Sequence, residues 1–169
     1  IYPVQPSQIT PWALNLQGLF GLYHLNEGTG TVAKDSSATD PSNDGTIETG
    51  FWVAGNIAGT KVLNFDATGY IDCGTAFDVG GRTEAALGIW LSAQDHFADA
   101  NYAICKDAQI GIQHYGTDNR VRFGIYISGS WQWVTSDANI SPLYGRTFIM
   151  GVYDGTNLLL YINGKLHKS

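Results

Sequence analysis

The stretch RVRFGIYIS, residues 120–128, decides the fold class because its apolar side chains recur at every second position. The apolar residues share one face of an extended chain, and Arg122, Gly124 and Tyr126 share the other. An alternation of period two over this length predicts a half-buried β-strand. The turn residues at 128–130 then lead into a second strand candidate at residues 131–135.

Short strand candidates separated by turn residues recur along the rest of the chain. Strong helix formers are scarce, and no segment of ten or more residues has convincing helix caps. The pattern is typical of an all-β sandwich or barrel. The other candidates are residues 18–25, 61–65, 70–73 (after a turn at 66–69), 85–92, 102–106, 109–114, 146–153 and 158–162.

Length and charge exclude several classes of protein. The 169 residues correspond to about one domain. Nine Lys and Arg against 15 Asp and Glu give a formal net charge of −6, which argues against a nucleic-acid partner. No apolar run reaches the roughly 18–20 residues that span a bilayer, so we expect no membrane span.

The amino-terminal residues differ from the rest of the chain. Three of the five prolines, Pro3, Pro6 and Pro11, lie here. Because proline lacks a ladder donor, residues 1–18 are predicted to be an extended arm, and residues 19–169 the folded domain. The arm is either a surface tail or a segment that pairs with a sheet edge. The sequence also leaves open whether Cys73 and Cys105 form a disulfide.

Five segments in succession resemble the laminin G-like domains of the concanavalin A-like lectin/glucanase superfamily. The resemblance runs from about residue 19 to residue 165, and it implies an extracellular two-sheet antiparallel jelly-roll β-sandwich. The segments are LFGLYHLNEGTGT (19–31), KDSSATDPSNDGTI (34–47), KVLNFDATGYIDCG (61–74), IWLSAQ (89–94) and GVYDGTNLLLYINGK (151–165).

The resemblance also has a departure at the carboxyl end. Family members continue past the turn at Asn163-Gly164 with further strands, whereas this chain ends at Ser169. A missing closing strand would leave an open sheet edge, which could recruit the arm of the same or another copy and form a homo-oligomer. The alternative is a sequence that was cut short.

The acidic residues do not suggest an enzyme. Hydrolysis of a glycosidic bond needs two carboxylates placed across it. Catalytic members of the superfamily carry an E-x-D-x-x-E run, but this chain has only three scattered glutamates, Glu27, Glu48 and Glu84. We therefore expect no catalytic activity.

Calcium is a possible cofactor of the polar loop at residues 35–45. Calcium prefers several carboxylate, amide and carbonyl oxygens. By the resemblance, Asp35, Asn43 and Asp44 lie where such domains often bind calcium at the rim of a sheet. The alternative is a solvated loop without an ion.

The candidate ligand-binding residues are aromatic side chains beside one arginine. Trp131 and Trp133 share one side of their strand and could stack on sugar rings. The alternative is that the tryptophan pair fills the core, to which we assign Trp90 and Phe148 because their strands are strongly apolar. The full candidate set is Trp131, Trp133, Tyr126, Arg122 and Tyr115.

Together these features predict an extracellular, non-catalytic recognition or adhesion module that binds a glycan or a protein, with calcium as a possible aid. The alternative is a structural subunit of an extracellular filament or viral assembly, joined through the arm or the open edge.

Overall fold

The computed structural model describes residues 18–37, 43–55, 58–75, 77–92, 102–115, 120–137 and 146–169. The chain divides into two compact units, Ile1–Phe77 and Asp78–Ser169. Every strand pair is antiparallel and the described residues form no helix element, so the protein is all-β. Accordingly, no described segment is a helix able to cross a membrane. Cys73 and Cys105 are both free thiols.

Within its described residues, the first unit contains one sheet of three strands in the order β1-β2-β3. Their bounds are β1 Val32–Ala33, β2 Gly45–Ala54 and β3 Lys61–Asp72. The predicted turn at residues 66–69 is wrong, because β3 continues through it. These residues bulge where they oppose the single residue Thr49, so the chain does not reverse. The strand predicted at residues 18–25 is also absent, and a single bridge joins Tyr23 to Asp35.

The described part of the second unit forms two four-stranded sheets, with orders β11-β10-β9-β4 and β5-β6-β7-β8. The strands predicted from residue 85 onward are confirmed within one or two residues at each end. Their bounds are β4 Ala85–Leu91, β5 Tyr102–Lys106, β6 Ile110–Tyr115, β7 Arg120–Ile127, β8 Ser130–Thr135, β9 Thr147–Tyr153, β10 Leu158–Ile162 and β11 Lys165–Lys168.

The two sheets of the second unit share one apolar core. Phe123 of β7 is fully buried, and a Cβ added at Gly151 of β9 would lie 2.0 Å from its ring. The ring therefore packs directly against the backbone of the facing sheet. The buried residues of this cluster are Ile110, Ile112, Val121, Phe123, Val134, Ile149 and Leu160.

The assignment of Trp90 and Phe148 to the core is wrong. Trp90 is 60% exposed, and its ring lies against Phe148 with the centroids 5.2 Å apart. The neighbouring Ile89 and Ile149 pack in the core instead. Because alternate residues of a strand point to opposite faces, Trp90 and Phe148 lie on the outer face of their sheet.

Candidate binding face on one sheet

The alternation in β7 places its polar and glycine positions on the outer face. Val121, Phe123 and Ile125 are buried in the core, as the period of two predicts. The intervening Arg122 and Tyr126 therefore lie on the opposite face of the sheet. Tyr126 is 38% exposed, and its hydroxyl donates to the carbonyl oxygen of Gly129 at 2.8 Å.

Strand β8 adds the tryptophan pair to the same face. Trp131 is paired with Tyr126, and Trp133 with Gly124. The two indole rings are stacked, with centroids 4.7 Å apart and planes 17° apart. Val134, between Trp133 and the end of the strand, faces the core. The tryptophan pair therefore lies outside the core and remains half-buried on the outer face.

Arg122 connects this pair to Tyr115. Its guanidinium carbon lies 4.1 Å from the ring centroid of Tyr115 and 4.1 Å from that of Trp133. Its Nε donates to Oε1 of Gln113 at 2.6 Å, across the β6–β7 pairing. Cation–π contacts and a short hydrogen bond together hold the guanidinium in one orientation.

The structure adds a residue that sequence reasoning missed. Tyr102 of β5 is 44% exposed, and its ring centroid lies 6.3 Å from that of Trp131. Burial raises the pKa of its hydroxyl, and the nearby charge of Arg122 opposes that rise. The predicted hairpin did not indicate this position, because a register shift between Tyr102 and Ile104 is what pairs Tyr102 with Gln113, the register partner of Arg122.

We name these outer-face side chains the aromatic face. All five predicted ligand-binding residues belong to it. Its members are Tyr102, Tyr115, Arg122, Tyr126, Trp131 and Trp133.

Two glycines lie directly beneath the rings of the aromatic face. Gly111 of β6 and Gly124 of β7 are register partners. A Cβ at Gly124 would lie 2.3 Å from Cε3 of Trp133, and a Cβ at Gly111 would lie 2.9 Å from Cε1 of Tyr102. Both distances are shorter than carbon–carbon contact. The rings therefore lie close to the backbone because these two positions carry no side chain.

The predicted metal ligands lie in the first unit. Oδ1 of Asp35 accepts from the backbone N–H of Leu22 at 2.9 Å and of Ser37 at 2.8 Å. Its Oδ2 accepts from the Ser37 hydroxyl at 2.8 Å. Such bonds are typical of a carboxylate that fixes a loop. Oxygen lone pairs remain on both atoms.

Asp44 approaches Asp35 from the start of β2. Its Oδ1 accepts from the backbone N–H of Asp35 at 2.9 Å, and its Oδ2 pairs with Nζ of Lys34 at 2.5 Å. The Lys34 bond, followed by the backbone bond, lowers the pKa of the Asp44 carboxyl. The backbone carbonyl of Asn43 accepts from the Tyr23 hydroxyl, whose pKa is raised mainly by burial.

The structure thus brings Asp35 and Asp44 together, whereas Asn43 is bonded to the Tyr23 hydroxyl and, through Nδ2, to the carbonyl oxygen of Phe20 at 3.4 Å. Among the described residues, however, no group of three or more acidic, His or Cys side chains is arranged to hold a metal ion. Asp40, which the sequence places in the same loop, lies outside the described residues.

Comparisons of this chain with protein-family models, curated proteins and solved structures find no match.

Proposed function

We propose that the chain is a non-catalytic extracellular recognition module that binds a glycan on the aromatic face. The observation that carries this proposal is the stack of Trp131, Trp133 and Arg122 on an outer sheet face. Aromatic side chains held together outside a core are typical of ligand-binding surfaces.

The chemistry of the face suits a sugar. The apolar C–H face of a pyranose ring packs on an indole or phenol ring, while its hydroxyl groups need donors and acceptors at the edges. Trp131 and Tyr102 supply ring surface, and Arg122, held in place by the buried Gln113, supplies a polar group beside it. An apolar platform with a few fixed polar groups is the usual composition of a small-ligand site.

A saccharide titration with a matched tryptophan control tests the proposal. The full chain is screened on a glycan array, and each hit is titrated by intrinsic fluorescence. We expect Trp131→Ala to weaken binding at least about tenfold, because a stacking surface is lost. Trp90→Ala removes an exposed tryptophan from the other sheet and should leave binding unchanged. Equal losses in both variants, or no saccharide binding at all, would contradict the proposal.

The laminin G-like jelly roll is the fold we propose for this module. Support comes from the antiparallel pairing and from the core that the two sheets of the second unit share. The proposed extracellular location rests on the same resemblance.

Calcium binding at the loop of Asp35, Asn43 and Asp44 remains a separate prediction. The Lys34 ammonium, which pairs with Oδ2 of Asp44, would compete with a bound ion for this carboxylate. We expect calcium to raise the melting temperature of the parent, and chelator to reverse the increase. In Asp44→Ala the increase should be absent. A melting temperature that calcium does not change would show that no ion binds.

The alternative function, a structural subunit, is favoured by one observation. Strand β11 lies at the edge of its sheet and is exposed along all four residues. Exposed edges can pair with another chain. Nearly all of the predicted arm lies outside the described residues. An assembly subunit should elute as an oligomer and become monomeric when residues 1–15 are deleted, whereas a recognition module should elute as a monomer.

A further inference from the structure

The arginine of the aromatic face has no acidic partner within the described ranges. The ion pairs found there involve Lys34, His167 and Lys168, and none of them involves Arg122. The chain carries 15 acidic and 9 basic residues, so carboxylates outnumber cations. The charge of Arg122 is therefore not neutralised by a described carboxylate and can attract a ligand of opposite charge.

The orientation of Arg122 leaves its terminal donors available. The two rings contact the guanidinium group, and its Nε is bonded to Gln113. No described residue accepts a hydrogen bond from its Nη atoms. The N–H donors lie in the guanidinium plane, in a fork that matches a carboxylate or sulfate. Partial removal of water by the neighbouring rings strengthens such a contact.

The aromatic face also differs in charge from one end to the other. Near Tyr115, the guanidinium carbon of Arg120 lies 5.3 Å from the ring centroid, so two arginines lie at this end. The opposite end of β6 adjoins the turn that contains Asp107. An anionic group is therefore favoured beside Arg122 and disfavoured near the turn.

We infer that the aromatic face selects a saccharide that carries an anionic group, a carboxylate or a sulfate ester, and that Arg122 binds this group. The inference rests on the proposed function, which supplies the sugar-stacking surface. It adds the ligand class and the residue that recognises it.

Matched saccharides test the inference on the unmodified full chain. The probes are tetrasaccharides with gluco, galacto and manno backbones, each in a neutral form and as the uronic acid, with a sulfated form as a third arm. We expect the anionic form of the bound backbone to bind at least about tenfold more tightly than its neutral form. The uronate and sulfate arms identify which anion is preferred.

Two variants of Arg122 test whether this residue causes the preference for the anionic saccharide. Arg122→Gln should reduce binding of the anionic form to about the level of the neutral form, whereas Arg122→Lys should keep part of the preference because the charge remains. Arg146→Gln is the matched control, since the Arg146 guanidinium carbon lies 5.5 Å from the ring centroid of Trp90 on the other sheet. This control should leave the preference unchanged.

The outcomes separate the inference from the proposed function. Equal affinity for neutral and anionic forms would overturn the inference and leave the glycan-binding proposal standing. An equal loss of the preference in Arg122→Gln and Arg146→Gln would overturn the role of Arg122. Failure of every saccharide to bind would overturn both. The comparison of ligands needs no variant, so it stands even if Arg122→Gln does not fold.

Discussion

Because Gly124 lies directly beneath the Trp133 ring of the aromatic face, Gly124→Ala is the most informative single substitution. The added Cβ would lie 2.3 Å from Cε3 of Trp133, and carbon atoms in contact are separated by about 3.5 Å. The Trp133 ring must therefore retreat by about 1.2 Å. It cannot do so without changing its stack on Trp131 or its contact with Arg122.

The contacts that Gly124→Ala removes give the size of the expected change in the free energy of unfolding. A stacked aromatic pair contributes about 0.5–1.5 kcal/mol, and a partly exposed cation–π contact about 0.5–1 kcal/mol. Replacing a strand glycine with alanine returns about 0.5–1 kcal/mol through backbone entropy. We therefore expect Gly124→Ala to lower the free energy of unfolding by about 1 kcal/mol.

Urea unfolding in two genetic backgrounds tests this reasoning, because the effect of Gly124→Ala on the free energy of unfolding should have opposite signs in them. In the Trp133→Ala background the clash is gone, so Gly124→Ala should raise the free energy of unfolding by about 0.5–1 kcal/mol. In the parent background the same substitution should also alter the near-ultraviolet circular dichroism, which reports on aromatic packing.

Gly88→Ala is the control for an outer-face strand glycine. Its Cβ would lie 3.2 Å from Cζ of Phe148, so a shift of a few tenths of an ångström is enough. This shift offsets part of the backbone-entropy gain of about 0.5–1 kcal/mol, so we expect a net change of less than about 0.5 kcal/mol. The reasoning is refuted if Gly124→Ala stabilises the parent to the same extent as it stabilises Trp133→Ala, because Trp133 would then not lie against Gly124.

Three further predictions concern the second unit. Gly151→Ala should destabilise by about 1–3 kcal/mol or prevent folding, because its Cβ would lie 2.0 Å from the Phe123 ring; urea unfolding that matches the parent would contradict this packing. Leu160→Ala, at a fully buried position, should reduce the free energy of unfolding by about 2–5 kcal/mol, and a loss below about 1 kcal/mol would mean that the site is not close-packed. Backbone N–H groups, first that of Asn157, hold the pKa of the Asp154 carboxyl below its ordinary 3.8, so its contribution to stability is full above that pH and is lost as pH falls through the lower folded value. The difference in melting temperature between the parent and Asp154→Ala should therefore shrink as the solution is acidified below pH 3.8, and a constant difference would contradict the assignment.

The sequence could predict the strands of the second unit because turn residues separate them clearly. It could not predict which face of β4 is buried. Residues 85–91 read AALGIWL and 147–153 read TFIMGVY, so apolar side chains occupy both faces of these strands. Without an alternation, hydrophobicity favoured the core for Trp90, whereas the pairing with β9 places it outside. In the first unit, residues 66–69 resemble a turn locally, and only their pairing with β2 shows a bulge.

The candidate site could be predicted from the same alternation of apolar and other residues that predicts β7. Its alternation separates Arg122 and Tyr126 from the core, and the short turn after it fixes which β8 residues lie beside them. Tyr102 was missed because it is brought to the face by two successive pairings, β5 with β6 and β6 with β7. A single alternating stretch gives no information about a strand two positions away in the sheet.

The glycines of the aromatic face point to a role beyond folding. Each of Gly111 and Gly124 weakens its strand by about 0.5–1 kcal/mol relative to alanine. On a face directed only at solvent, larger side chains at these positions would stabilise the sheet. Here they would push away the rings of Tyr102 and Trp133, which lean from strands on opposite sides of the two glycines. Because neither position carries a side chain, the rings of Tyr102 and Trp133 can both reach Trp131. The absence of these side chains therefore lowers the strand propensity and also makes the continuous aromatic surface possible.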